Sequence, residues 1–358
     1  MKISLVWVLF GLLILPAAVA QKLDSARIAE IQALIEKARV EAQVPGLSAA
    51  IGFAGRLRWE QGFGTADLES GSPATAQTLF RTASIAKPMT GTALLTLVEE
   101  GKIDLDAEIQ RYVPTFPKKR WPVTVRQLLG HIAGVRHYKG DEFASTRRYE
   151  DTLAPLAIFQ ADPLLFEPGT DYSYSTYGFN LLGAAVENVA GEPYFAALRQ
   201  RVLEPAGMWN TQVDDVLAVI PGRTRFYRLG EDNRIYNAGL TDLSNKIPGG
   251  GLLSTSGDLV RFALATLDGS LLKPATVNEM WTPQVLKNGE LGRHGLGWGV
   301  QEKDGEKRAR HTGGQQGATT NLTLVIEDGV AVAVMTNREG FGGLGKLVEE
   351  ILEIVRRP

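Results

Sequence analysis

The 358-residue chain contains no cysteine. That excludes disulfides, a thiolate nucleophile, zinc–cysteine sites and a lipid-modified N-terminal cysteine. Histidine is scarce as well. The four present are His131, His137, His294 and His311, and none stands in a metal-ligand spacing such as HExxH. The sequence therefore offers no metal-site motif and no cofactor motif. The net charge is only −2, so no basic excess calls for a nucleic-acid partner. The short basic run Lys118-Lys119-Arg120 reads as a solvated loop.

Long apolar runs are missing except at the start. Lys2 is followed by a stretch from Ile3 to Leu15 broken only by Ser4, then by Pro16 and Ala18-Val19-Ala20. This pattern predicts a signal peptide over 1–20, cleaved after Ala20. It is short for a membrane span of about 20 residues. It also lacks the arginines of a mitochondrial transit peptide. The expectation is an exported protein, periplasmic or secreted, with no stable membrane insertion after cleavage. The mature chain is then 21–358, of ordinary globular composition, with neither internal repeats nor low-complexity segments.

Helical spacing of Ile28, Ile31, Leu34, Ile35 and Ala38 predicts a helix from Asp24 to Gln43. Two strands follow, Leu47–Phe53 and Leu57–Phe63, joined by a tight turn at Ala54-Gly55-Arg56. A helix is predicted from Ser84 to Glu100, stopped by Gly101. From Asp104 to Asn245 strand signals fade, and Pro- and Gly-rich loops separate the candidate helices Val125–Leu129, Gly178–Ala190 and Tyr194–Leu203. After Gly249-Gly250-Gly251 comes a helix with Ser256 or Asp258 near its cap. Strands are then predicted at Gly297–Gln301, Thr319–Ile326 and Val330–Thr336, and a helix closes the chain from Leu344 to Val355. Strands at both ends and helices in the middle predict an α/β (α+β) body. It would be an antiparallel sheet flanked by helices (about 21–103 and 246–358), with a mostly helical lobe (about 104–245) inserted beside a cleft.

The chemistry is carried by Arg81-Thr82-Ala83-Ser84-Ile85-Ala86-Lys87-Pro88. Serine and lysine three apart share one helix face. A serine hydroxyl is a poor nucleophile without a nearby base. A lysine can serve if burial or a positive neighbour lowers its pKa. Pro88 has no N–H for the Ser84 carbonyl, so an irregular first turn is expected. Two further pieces accompany this one. The first is Tyr172-Ser173-Tyr174-Ser175-Thr176-Tyr177, entering a helix. The second is His311-Thr312-Gly313-Gly314, just before a predicted strand.

With these three elements in this order the chain resembles the serine β-lactamase and penicillin-binding-protein superfamily, on its class C-like side. The resemblance runs from about Leu47 to Asn337. It includes Leu128-Leu129-Gly130-His131-Ile132-Ala133-Gly134, Glu204-Pro205-Ala206-Gly207-Met208 and Gly295-Leu296-Gly297-Trp298-Gly299. Ala133-Gly134-Val135-Arg136-His137-Tyr138 and Tyr174-Ser175-Thr176 are similar to the mitochondrial β-lactamase-like branch and its bacterial relatives. The resemblance implies Ser84 as nucleophile, Lys87 as base or centre of the proton network, and Tyr174 as shuttle to the leaving group. It implies that His311 orients substrate and tunes Tyr174, with Lys87 and His311 as the cationic neighbours a tyrosine base needs. The oxyanion hole would be the backbone N–H groups of Ser84 and Gly314, and Thr312, Gly313 and Thr176 would face the substrate. Thr176 stands where the family usually has Asn, which argues against efficient β-lactam hydrolysis.

The resemblance thus implies an acyl-enzyme hydrolase of a small-molecule or peptide amide or ester, peptidase-like before β-lactamase. Which of Lys87 and Tyr174 is the base stays open at this stage. Two other readings also stay open. One is a filament-forming protein, since relatives on the mitochondrial branch self-associate. The other is a penicillin sensor that acylates without turnover. His131 and His137 read as structural, Trp298 as a packing residue near the sheet edge, and the Asn321-Leu322-Thr323 sequon as a strand segment without a glycan.

Overall fold

The computed structural model describes residues 23–357, so the signal-peptide expectation over 1–20 lies outside the described residues. The chain opens with α1 (Ser25–Glu41), β1 (Gly46–Phe53), β2 (Arg56–Asp67) and the two-residue strands β3 (Ser72–Pro73) and β4 (Phe80–Arg81). The middle contributes α2 (Ala86–Glu99), α3 (Val125–Leu129), α4 (Thr176–Ala190), α5 (Tyr194–Leu198) and three short strands. These are β5 (Gln212–Val213), β6 (Tyr227–Leu229) and β7 (Ile235–Asn237). Then come the single turn α6 (Ile247–Gly250), β8 (Leu252–Ser254), α7 (Ser256–Leu267) and α8 (Pro274–Met280). The chain finishes with β9 (Gly299–Lys303), β10 (Glu306–Gln315), β11 (Ala318–Val325), β12 (Val330–Thr336) and α9 (Leu344–Arg356).

The main sheet has the order β3-β2-β1-β12-β11-β10-β9, with antiparallel pairs throughout. It joins the two chain ends at β1 against β12, in the register Leu47↔Thr336 to Gly52↔Ala331. This is the predicted body with its inserted helical lobe. Side-chain size alternates along the central strands, and that alternation decides which layer packs where. Leu47, Ala49, Ile51 and Phe53 of β1 and Val330, Val332 and Val334 of β12 meet α1 and α9. The opposite face carries small residues. There Ser48 hydrogen-bonds Ser256 at 2.5 Å, and Gly52 lies under Val260 and Leu264 of α7. The small face lets α7 lie close, and its core continues through α2 and α4 into the helical lobe.

Three departures from the sequence reading have local causes. The motif at His311 lies inside β10, not before a strand, and β10 pairs with both β9 and β11. Its sequence, Glu306-Lys307-Arg308-Ala309-Arg310-His311-Thr312-Gly313-Gly314-Gln315, is charged and glycine-rich, so it lacks the β-branched signature of a strand. The cap of α7 is Thr255, whose side chain accepts the Asp258 N–H. The helix predicted over Tyr194–Leu203 ends as α5 and continues as a π-helical turn over Arg199–Leu203. Elsewhere Trp298 is buried against Phe262 and Trp281 at the entry to edge strand β9, as expected. Asn321 is buried within β11 and accepts a hydrogen bond from Thr323, so the sequon is not a surface loop.

The close approach of α7 gives a direct test. A Cβ on Gly52 would lie 2.5 Å from Val260 Cγ1 and 2.7 Å from Leu264 Cδ1. Gly52→Ala should therefore destabilise the fold by about 1–3 kcal/mol through overpacking. Chemical denaturation of the two proteins reads this out, and equal midpoints would contradict it.

Candidate active site

Ser84 stands in a 3-10 turn, Ala83–Ile85, immediately before α2. This is the irregular first turn anticipated from Pro88. Ala83 holds a φ of 46°, a left-handed conformation that non-glycine residues rarely adopt. The turn is fixed from both sides. Thr82 N–H donates to the Leu252 carbonyl at 2.9 Å, and Thr320 Oγ1 donates to the Thr82 carbonyl at 3.0 Å. Arg81, buried on Phe226, anchors the preceding strand by donating to Asp214 at 2.7 Å and to the Gln316 carbonyl at 2.8 Å.

One turn into α2, Lys87 Nζ reaches Ser84 Oγ at 3.1 Å and donates to the Gly249 carbonyl at 2.7 Å. Lys87 is wholly buried, and no ion pair with a carboxylate accompanies it among the described residues. Burial first, and the amine of Lys246 second, hold its pKa well below the ordinary lysine value. Burial without a counter-charge thus favours the neutral form of the Lys87 amine beside the Ser84 hydroxyl.

Tyr174 closes the other side. It directly precedes Ser175, the N-cap of α4, whose Oγ accepts the Gly178 N–H at 3.0 Å and donates to the Arg136 carbonyl at 2.7 Å. The Tyr174 ring packs over the Lys87 amine at 4.9 Å, and its hydroxyl shares a hydrogen bond with Ser84. Burial pushes the phenol up, and the bond to Ser84 offsets only part of this. The expectation that cationic neighbours lower Tyr174 is not met, because burial also holds Lys87 and His311 in their neutral forms.

All four histidines surround Tyr174, with ring centroids at 4.3 Å (His131), 5.5 Å (His137), 6.0 Å (His294) and 6.3 Å (His311). Sequence reasoning found only His311. His131 and His137 are structural here, as read, but they act on the site. Their Nδ1 atoms accept the N–H groups of Ser175 and Thr176 at 3.1 and 3.2 Å and so fix the turn that carries Tyr174. His294 Nδ1 pairs with the Tyr172 hydroxyl at 3.0 Å. His311 Nδ1 faces the Thr312 carbonyl at 2.8 Å, which leaves Nε2 as a buried acceptor without a partner. Among the described residues no three His, Asp or Glu side chains are placed to hold a metal ion.

On β10, Gly313 is required by close packing. A Cβ there would lie 2.6 Å from the Thr82 carbonyl oxygen and 2.8 Å from Ala83 Cβ. That contact seats the strand on the Ser84 turn. A Cβ on Gly314 would meet no protein atom, because the position faces open cleft. Thr312 is exposed and lines the same cleft. Thr176 is buried, and its hydroxyl is bonded to Tyr138. Arg136 belongs to the scaffold, in ion pairs with Glu142 and Asp162.

Comparison with known proteins shows the family and the fold. The β-lactamase family matches residues 31–354. The mouse mitochondrial serine β-lactamase-like protein LACTB is 29% identical, over 91% of this chain and 80% of its own. Among solved structures, the D-amino acid amidase of Ochrobactrum anthropi superposes with a TM-score of 0.81 at 26% identity, covering 93% of this chain and 99% of its own. The octameric penicillin-binding protein homologue of Pyrococcus abyssi gives 0.80 at 25%, covering 92% and 77%.

The buried histidines set an acid limit on stability. Burial holds His137 and His294 down to about 4. In the unfolded chain they protonate near about 6.5. Between those values the unfolded chain binds more protons, so stability is full above about pH 6.5 and falls as the pH drops toward about 4. The melting midpoint should be lower at about pH 5 than at about pH 7, and His294→Gln should flatten the slope. A midpoint that is flat across this window in the wild type would refute the neutral cluster.

Proposed function

The chain belongs to the β-lactamase family, and we propose that it is a serine hydrolase that forms an acyl-enzyme on Ser84 with an amide or peptide substrate. The reading rests on one observation above all, the buried amine of Lys87 at 3.1 Å from Ser84 Oγ. Ser84 Oγ attacks the substrate carbonyl while Lys87 Nζ takes the hydroxyl proton. The backbone N–H groups of Ser84 and Gly314 hold the resulting oxyanion. Tyr174, kept as a phenol, gives its proton to the departing amine, and its oxygen is reprotonated by the proton that Lys87 took from Ser84. Water then enters where the amine left, passes a proton back along the same groups and releases the acid.

Two features favour an amide or peptide over a penicillin. The hydroxyl of Thr176 is spent on Tyr138, and position 176 carries no side-chain amide for a penicillin's acylamino group. The leaving-group side is a cleft of about 410 Å³ lined by Tyr174, His294, Thr312, Arg293 and Arg310, with no acidic residue in its wall. It suits a leaving group that bears a carboxylate. The D-amino acid amidase likeness supports amide chemistry. The octameric state of the archaeal homologue supports self-association alongside catalysis. On sequence alone, we place the mature chain outside the cytoplasm.

A fluorophosphonate probe should add once to the wild type and not to Ser84→Ala, read by intact mass. Lys87→Met should slow that reaction by about a hundredfold or more. A folded wild type that takes no adduct would overturn the hydrolase reading and favour an assembly role. With substrates that differ only in a free or an amidated terminal carboxylate, Arg310→Gln should raise KM about tenfold for the free acid alone. Equal effects on both substrates would remove the carboxylate from the account.

A further inference from the structure

A second buried lysine, behind the site, has no place in the reaction as written. Lys246 is 1% exposed and donates to the Phe143 carbonyl at 2.6 Å. The rings of Phe143 and Tyr138 lie against its Nζ, at 4.5 and 4.9 Å. It immediately precedes α6, whose Gly249 carbonyl receives Lys87 Nζ. The rings link the two amines into one wall. Tyr138 packs tilted against His137 with centroids 4.1 Å apart, and His137 meets Tyr174, which covers Lys87, at 5.5 Å.

The charged and titratable groups around Lys246 are Lys87 from α2, Arg81 from β4, His137 and Tyr138 from the loop after α3, and Glu142 from the following turn. Lys246 makes no ion pair among the described residues, and the nearby carboxylates are committed elsewhere: Asp242, which caps its turn, accepts the Ser244 N–H at 2.9 Å. Glu142 pairs with Arg136 at 2.7 Å and accepts from the Tyr177 hydroxyl at 3.0 Å. A buried amine is costly to keep charged without a carboxylate. Two buried amines on one wall oppose each other's protonation. A mere anchor for the Phe143 carbonyl needs only a neutral donor, which Gln would supply.

We propose that Lys246 is a positioning residue for proton transfer, a second buried amine on the same aromatic wall as Lys87 that keeps Lys87 in its base form. The inference rests on the serine-hydrolase reading, in which Lys87 takes the Ser84 proton. Lys246 touches neither Ser84 nor the leaving-group cleft. Its own pKa is lowered to about 7 by burial and by Arg81, so its proton is held or lost near neutrality. At mildly acid pH the proton resides on Lys246 rather than Lys87, and the base survives.

The test is the rate of Ser84 phosphonylation by the fluorophosphonate probe as a function of pH in the full mature chain. Lys246→Met keeps the length of the stem and removes the amine. Its acid limb should move up by about one pH unit, so it reacts about tenfold more slowly than wild type on that limb, a gap that closes as the pH rises. Lys246→Arg keeps a cation and should leave the limb at or below its wild-type position. Lys246→Gln keeps a donor to the Phe143 carbonyl without charge, so it protects folding if the methionine variant fails, and it should show the same upward shift. Profiles that differ only by a constant factor, or a wild-type limb in Lys246→Gln, would overturn the proposal and leave the hydrolase reading standing. A folded wild type without any adduct would overturn both.

Discussion

The cleft is organised around an amine that has been taken out of water and given no counter-charge. Lys87 is wholly buried, with the Gly249 carbonyl and the Ser84 hydroxyl as its hydrogen-bond partners and the faces of Tyr174 and Phe179 beside it. An ammonium in that position would cost several kcal/mol. Burial therefore favours the neutral amine, and a neutral amine beside a hydroxyl is placed to act as a base. The same burial that creates the base keeps Tyr174 a phenol and the histidines uncharged. One constraint thus assigns acceptor and donor roles across the site. In the mechanism proposed above, it favours Lys87 as the base and Tyr174 as the proton donor.

Holding those groups requires most of the fold. The sheet supplies β10, seated on the Ser84 turn through Gly313, and the inserted lobe supplies Tyr174 at the entry to α4. Between them α2 carries Lys87, and its core is continuous with both lobes. The left-handed Ala83 and the left-handed His131, with φ values of 46° and 60°, lie on opposite walls. Backbone strain of this kind costs about 1–3 kcal/mol per residue and persists only where the surroundings over-determine it.

Much of this was legible in the sequence because it is local. The strand segments at Leu47–Phe53 and Val330–Thr336, the helical spacing of Ile28 to Ala38 and the closing helix from Leu344 reported the sheet and its outer helices. The three short motifs named Ser84, Lys87, Tyr174 and His311. Long-range placement was not legible. His131, His137 and His294 are far apart in the chain and carry no shared spacing, so only folding gathers them around Tyr174. Lys246 sits in an unremarkable run, Leu243-Ser244-Asn245-Lys246, and its importance comes from burial without a carboxylate. β10 hid because its residues serve the cleft, which favours Arg, His and Gly over the β-branched residues of a core strand. The sign of the Tyr174 shift was misjudged for the same reason, since charge on a neighbour depends on burial that a sequence does not display.

The central claim is that Lys87 is an uncharged amine in the resting protein. Isotope-labelled lysine NMR, with the Lys87 signal assigned by its loss in Lys87→Arg, measures this directly across a pH titration. The account predicts that Lys87 is already deprotonated at neutral pH, far below the usual lysine value of about 10.4. A Lys87 signal that stays protonated until near that value would contradict it.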